Sequence, residues 1–148
     1  MRRFLLVLVL VCVFAAMVLP AAALASPGTV KNAAGHKVGM VSSGSTGKVW
    51  NKAGTQVGHY GPTDEEVFVW HGKTGYNLGF GFVDRASKAV FLVRTSSGSS
   101  TPQGRAKLVG KKWILQRRGG GAWHRRGSAS NKVSGWAAGA ALWLLLWK

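Results

Sequence analysis

The residues with chemical capacity are few and widely spaced. Four histidines (His36, His59, His71 and His124) stand in the chain, none at the spacing that a metal site requires. Three of the four carboxylates, Asp64, Glu65 and Glu66, are consecutive behind Gly61-Pro62-Thr63. Catalytic carboxylates must face each other across a cleft, so this triplet reads as a solvated loop tip. No serine stands in a nucleophile elbow. Gly47-Lys48 resembles the end of a phosphate loop, but Ser42 occupies the position where that loop needs glycine. Val49-Trp50 then continues as a strand rather than a helix. The sequence predicts no catalysis, no metal and no cofactor. One constellation remains, built from Arg117, Arg118, Trp123, Arg125 and Arg126 around Gly119-Gly120-Gly121. Two arginine pairs can grip phosphates while a tryptophan between them stacks. Its plainer reading is a hairpin whose glycine-rich tip is flanked by charge.

The overall balance favours an anionic partner. Twenty Lys and Arg stand against four acids, a net charge of +16. Beyond Gly104 there is no acid, and five of the seven tryptophans lie there. Such a chain is drawn to anionic lipid headgroups, wall polymers of the teichoic-acid kind, or nucleic acid.

The N-terminus argues for the first two. Arg2 and Arg3 precede a continuous apolar run, Phe4–Leu19, then Pro20 and Ala23-Leu24-Ala25. This is the pattern of a signal peptide over 1–25, cleaved before Ser26, its apolar run shorter than the roughly 20 residues of a membrane span. The protein is expected to be exported, secreted or held at the cell envelope. Cys12 is the single cysteine and lies inside the apolar run, so the mature chain would have no disulfide and would rely on its core. Residues 26–148 are expected to form one domain.

The elements that must position these residues are written as a repeat over 29–93. Val30-x-Asn32-x-Ala34-Gly35-x-x-Val38-Gly39-x-Val41 recurs as Val49-x-Asn51-x-Ala53-Gly54-x-x-Val57-Gly58-x-Tyr60. Looser copies are Trp70-x-Gly72-x-x-Gly75-x-x-Leu78-Gly79-x-Gly81 and Phe82-x-Asp84-x-Ala86-Ser87-x-x-Val90-Phe91-x-Val93. Each reads as strand, turn, strand: Asn or Asp opens the turn, and Gly35, Gly54 and Gly75 supply its positive φ. Hairpins this short must share a core. A polar loop follows over 94–104, then a basic, Trp-rich region over 105–148. There, Lys107–Val109 and Trp113–Leu115 form a hairpin around Gly110. The apolar run 137–147 does not alternate, which predicts a closing strand covered on both faces. The competing expectation is a membrane-contacting helix carrying Trp136, Trp143 and Trp147, but that helix would have no polar face.

The repeated G-x-x-V-G unit resembles the bacterial four-fold β-flower proteins over Val30–Val93, and the apolar closing segment is similar to the ends of some members. The resemblance implies an all-β fold in which antiparallel hairpins close into a shallow, pseudo-symmetric barrel. Through its likeness to Tubby-type barrels it also implies lipid binding. Gly72 at the Asn position and Ser87 in place of Gly depart from that pattern. The expected function is therefore a non-catalytic β-repeat domain that associates with anionic envelope surfaces, lipid or wall polymer. The alternative is a structural or protein-partner-binding module of the envelope with no lipid ligand.

Overall fold

The computed structural model describes residues 26–62, 66–72, 77–84, 86–94 and 100–147. Ten antiparallel strands follow in order: β1 (Gly28–Asn32), β2 (Lys37–Val41), β3 (Gly47–Asn51), β4 (Gln56–Pro62), β5 (Glu66–His71), β6 (Asn77–Asp84), β7 (Ala89–Arg94), β8 (Gly104–Val109), β9 (Lys112–Gly119) and β10 (Ala122–Ser130). Each pairs with its neighbours in sequence, and β1 pairs with β10 through Val30 and Ala129, closing the sheet into a barrel.

The turns of the first two copies form as the repeat predicts. The Asn32 side chain accepts a hydrogen bond from the His36 N–H at 2.9 Å, and the Asn51 side chain accepts from the Thr55 N–H at 3.0 Å. Gly35 and Gly54 adopt φ of +86° and +84°, where a side chain is strained. Gly75 lies outside the described residues. Asp84 opens its turn by accepting from the Ala86 and Ser87 N–H groups and from the Ser87 hydroxyl. That hydroxyl and the two N–H groups hold its carboxyl below the ordinary value of 3.8.

The repeat frame differs from the one expected. In the first two hairpins Val30 pairs with Gly39 and Val49 with Gly58, each beside a one-residue register shift. The third hairpin, β5–β6, is one residue longer and pairs Val69 with Gly79, so its copy begins on Val69 rather than Trp70. The expected fourth copy falls on β6–β7, where Phe82 pairs with Phe91 and the turn lies at the opposite end of the barrel. The frame instead continues in β7–β8, where Leu92 faces Gly104, and in β9–β10, where Leu115 faces Gly127. Five hairpins, not four, thus contribute an inward aliphatic residue opposite an inward glycine.

Four of those glycines, Gly39, Gly79, Gly104 and Gly127, face the chain's C-terminal segment. The expected closing strand over 137–147 is instead a helix, α1 (Gly135–Leu145). It contacts every strand from β2 to β10 and so fills the barrel. Residues Ala137–Trp143 are buried. The reason is local chemistry: Gly135–Leu145 contains four alanines and no β-branched residue. Ser134 caps it, its hydroxyl accepting from the Ala137 N–H at 3.1 Å. A helix apolar on all sides needs an apolar sleeve, and the barrel supplies one from Val30, Val41, Val49, Val69, Leu92 and Leu115. A Cβ at Gly104 would lie 2.7 Å from the Trp147 ring and 3.0 Å from Leu142 Cδ2, and one at Gly127 would lie 2.6 Å from Leu146 Cδ1. Glycine is required there so that the helix fits. Among the described residues no helix is long and apolar enough to cross a membrane.

Helix and barrel are fastened at both ends. At the entry end, the Ser134 hydroxyl donates to the Gly44 carbonyl at 2.9 Å and the Ser134 N–H donates to Ser43 at 3.2 Å. The buried Tyr60 hydroxyl donates to the carbonyls of Ser42 (3.0 Å) and Gly44 (2.8 Å), and burial pushes its pKa above the ordinary 10.0. The 42–47 segment is therefore a latch rather than a phosphate loop.

Candidate functional site

The five residues singled out from the arginine-tryptophan segment do not act as one group. β9 and β10 meet at Gly120 and Gly121, both at positive φ, in a two-residue turn of the kind that suits hairpin twist. Successive residues of a strand point to opposite faces. Arg117 therefore turns toward the helix end, where its Nη1 donates to the Trp147 carbonyl at 2.7 Å and its guanidinium lies 5.1 Å from the Trp147 ring centre. Arg126, the extra residue of a bulge between Arg125 and Gly127, donates from Nε to the Leu146 carbonyl at 3.4 Å. Both arginines sit where the helix dipole favours a cation and where terminal carbonyls need donors. Their geometry is that of a helix cap.

Arg118, Trp123 and Arg125 stay on the outer face. Arg118 pairs across strands with Trp123, and Arg125 pairs with Gln116. Arg118 and Arg125 are exposed and Trp123 is half-buried. Arg105 on β8 joins them. Its guanidinium lies 4.6 Å from the Trp123 ring centre, and its Nε donates to Gln116 Oε1 at 2.7 Å. Partial burial lowers the pKa of Arg105 below the ordinary guanidinium value. Phe91 packs beside Trp123 with 6.0 Å between ring centres, and Phe82 stacks on Phe91 at 5.8 Å. The result is an outer stripe of three aromatic rings bordered by three arginines. Rigid aromatic faces with guanidinium donors beside them can stack planar or apolar groups and neutralise phosphate at the same time.

Arg105, Phe82 and Phe91 were not legible as site residues, because strand register brings them to Trp123 from distant parts of the chain. The split of each arginine pair was legible in principle: strand alternation alone sends neighbours to opposite faces.

The remaining candidates take structural positions. Asn32, Gly35, Asn51, Gly54 and Asp84 shape turns, as described. His59 Nδ1 lies 3.1 Å from the Gly72 carbonyl, and His124 Nε2 lies 3.0 Å from that of Gly119. Among the described residues no three of His, Cys, Asp and Glu come together as metal ligands would. Asp64 and Glu65 lie outside the described residues. No family model matches the chain, and no curated protein or solved structure matches it.

Proposed function

We propose that this protein is a non-catalytic binding module for anionic surfaces of the cell envelope. The observation that carries this reading is the outer face of β8–β10, where Arg105, Arg118 and Arg125 surround Trp123. The shared chemistry of its ligand is a phosphate-bearing surface, offered either by lipid headgroups or by a wall polymer. Net charge of +16 adds long-range attraction to either. The closed barrel supplies the rigid platform, and the helix holds its shape from within.

The test uses the two exposed arginines, since Arg117 and Arg126 contact the helix end and their loss would confound binding with stability. Replacing Arg118 and Arg125 with Gln should weaken binding by about 1 kcal/mol per charge near a lipid surface. Affinity should also fall steeply between low and physiological salt. Anionic phospholipid vesicles and a soluble poly(glycerol phosphate) distinguish the two sources of phosphate. Binding to both that ignores salt and survives the double replacement undiminished defeats the reading.

A further inference from the structure

The end of the barrel at which α1 begins carries a second surface, chemically unlike the arginine face. The large apolar side chains most open to water among the described residues are Val83 (42%), Leu108 (40%) and Val109 (55%). All three stand at this end: Val83 near the end of β6, Leu108 and Val109 at the tip of the β8–β9 hairpin. Beside Val83 opens a crevice of about 350 Å³ whose walls include Val83, Val90, Trp113 and Trp136. Lys88 lines it, and four more exposed lysines, Lys107, Lys111, Lys112 and Lys132, stand on the strands and turns of this end. Among the described residues two acids also stand at this end, Asp84, whose carboxyl is held by Ser87, and Glu66 at the start of β5; Asp64 and Glu65 lie between Pro62 and Glu66 in sequence, outside the described residues.

Apolar tips with exposed lysines beside them match the layering of an anionic bilayer, in which phosphates lie above hydrocarbon. The chain's own path points the same way. Gly28 opens β1 at this end and lies against Val133, whose carbonyl accepts from Trp113 Nε1 at 3.0 Å. Until the expected signal peptide is cleaved, the apolar run Phe4–Leu19 therefore joins the barrel at this end. We infer that the helix-entry end is the membrane-facing end, and that Leu108 and Val109 enter the interface of an anionic bilayer with the exposed lysines of this end on its phosphates. This goes beyond the reading above, because it assigns bilayer contact to a surface separate from the Trp123 face.

The experiment places a reporter at the tip. In the mature chain, residues 26–148, which contain no cysteine, Val109→Cys carries an environment-sensitive fluorophore on the new thiol, and vesicles of phosphatidylglycerol and phosphatidylcholine are added. A blue-shifted emission that nitroxide-labelled lipid quenches is the expected result. In parallel, Leu108→Gln with Val109→Gln should lower vesicle affinity by about tenfold or more. Binding to soluble poly(glycerol phosphate) should be unchanged, and so should the melting temperature. A reporter that stays in water on protein-bound vesicles overturns the inference and leaves the rim to a protein partner. So does a double variant that binds vesicles like wild type. Failure of the Arg118/Arg125 replacement to weaken either ligand while the reporter still shifts would instead remove the arginine-face reading and leave this one standing.

Discussion

Two kinds of glycine recur in this chain, and substitution separates them. Gly54 holds a left-handed turn with nothing within 4 Å of an added Cβ, so its requirement is one of backbone conformation. Gly54→Val should cost about 1 kcal/mol or more, whereas Gly54→Asn should be nearly neutral, because Asn tolerates that conformation. Gly104 is the reverse case: its backbone is ordinary, and a Cβ there would press on Trp147, Leu142 and Leu92. Gly104→Ala should cost about 1–3 kcal/mol by overpacking, and Gly104→Asn more still. Thermal melts of the four variants check this, and equal tolerance of Asn at both positions would contradict it. The first kind was legible in the sequence because Asn-x-Ala-Gly is a local signal whose geometry closes within five residues. The second was not, since the requirement at Gly104 is set by residues nearly forty positions away in the chain.

Among the elements, α1 was misread, and the cause is physical. A run apolar on every side has no periodicity to separate a helix from a doubly covered strand. The arbiter was composition: alanines without β-branching, behind a serine cap. The latch at the entry end gives this element a pH signature. Tyr60 is buried with its hydroxyl bonded to Ser42 and Gly44, so the folded state favours the neutral phenol. The unfolded chain releases that proton near the ordinary 10.0, and the folded one only at higher pH. The stability contributed by Tyr60 is therefore complete below pH 10 and declines as pH rises beyond it. Tyr60→Phe should be less stable at neutral pH through two lost hydrogen bonds, yet show a shallower loss between pH 10 and 11.5. Denaturant melts at each pH provide the measurement, and parallel slopes in both proteins would refute the assignment.

At the scale of the whole molecule, barrel and helix are each other's core. The inward aliphatic residues of five hairpins share one core cluster with α1, and α1 has no polar face to offer water. Removing residues 135–148 should leave a chain with strand content but no cooperative thermal transition, and with strong binding of hydrophobic dyes. A truncated protein that melts sharply at the full-length temperature would show that the sheet stabilises itself. The closed order of strands was partly visible in the repeats, because equal hairpins imply a common curvature. The number of hairpins was not, since β7 to β10 keep the inward pairing of aliphatic residue with glycine while abandoning the Asn-x-Ala-Gly turn.

Closure through Val30 and Ala129 also fixes when the molecule can become itself. The first strand waits for the last, and the filling of the interior is encoded after both. No N-terminal portion of the chain, however long, contains the native set of contacts until Leu145 has arrived. During that interval Val30, Val49 and Val69 have no helix to cover them, and β1 is an open edge that another chain can pair with. The stretch that completes the fold is thus also the one that ends its exposure to misassembly.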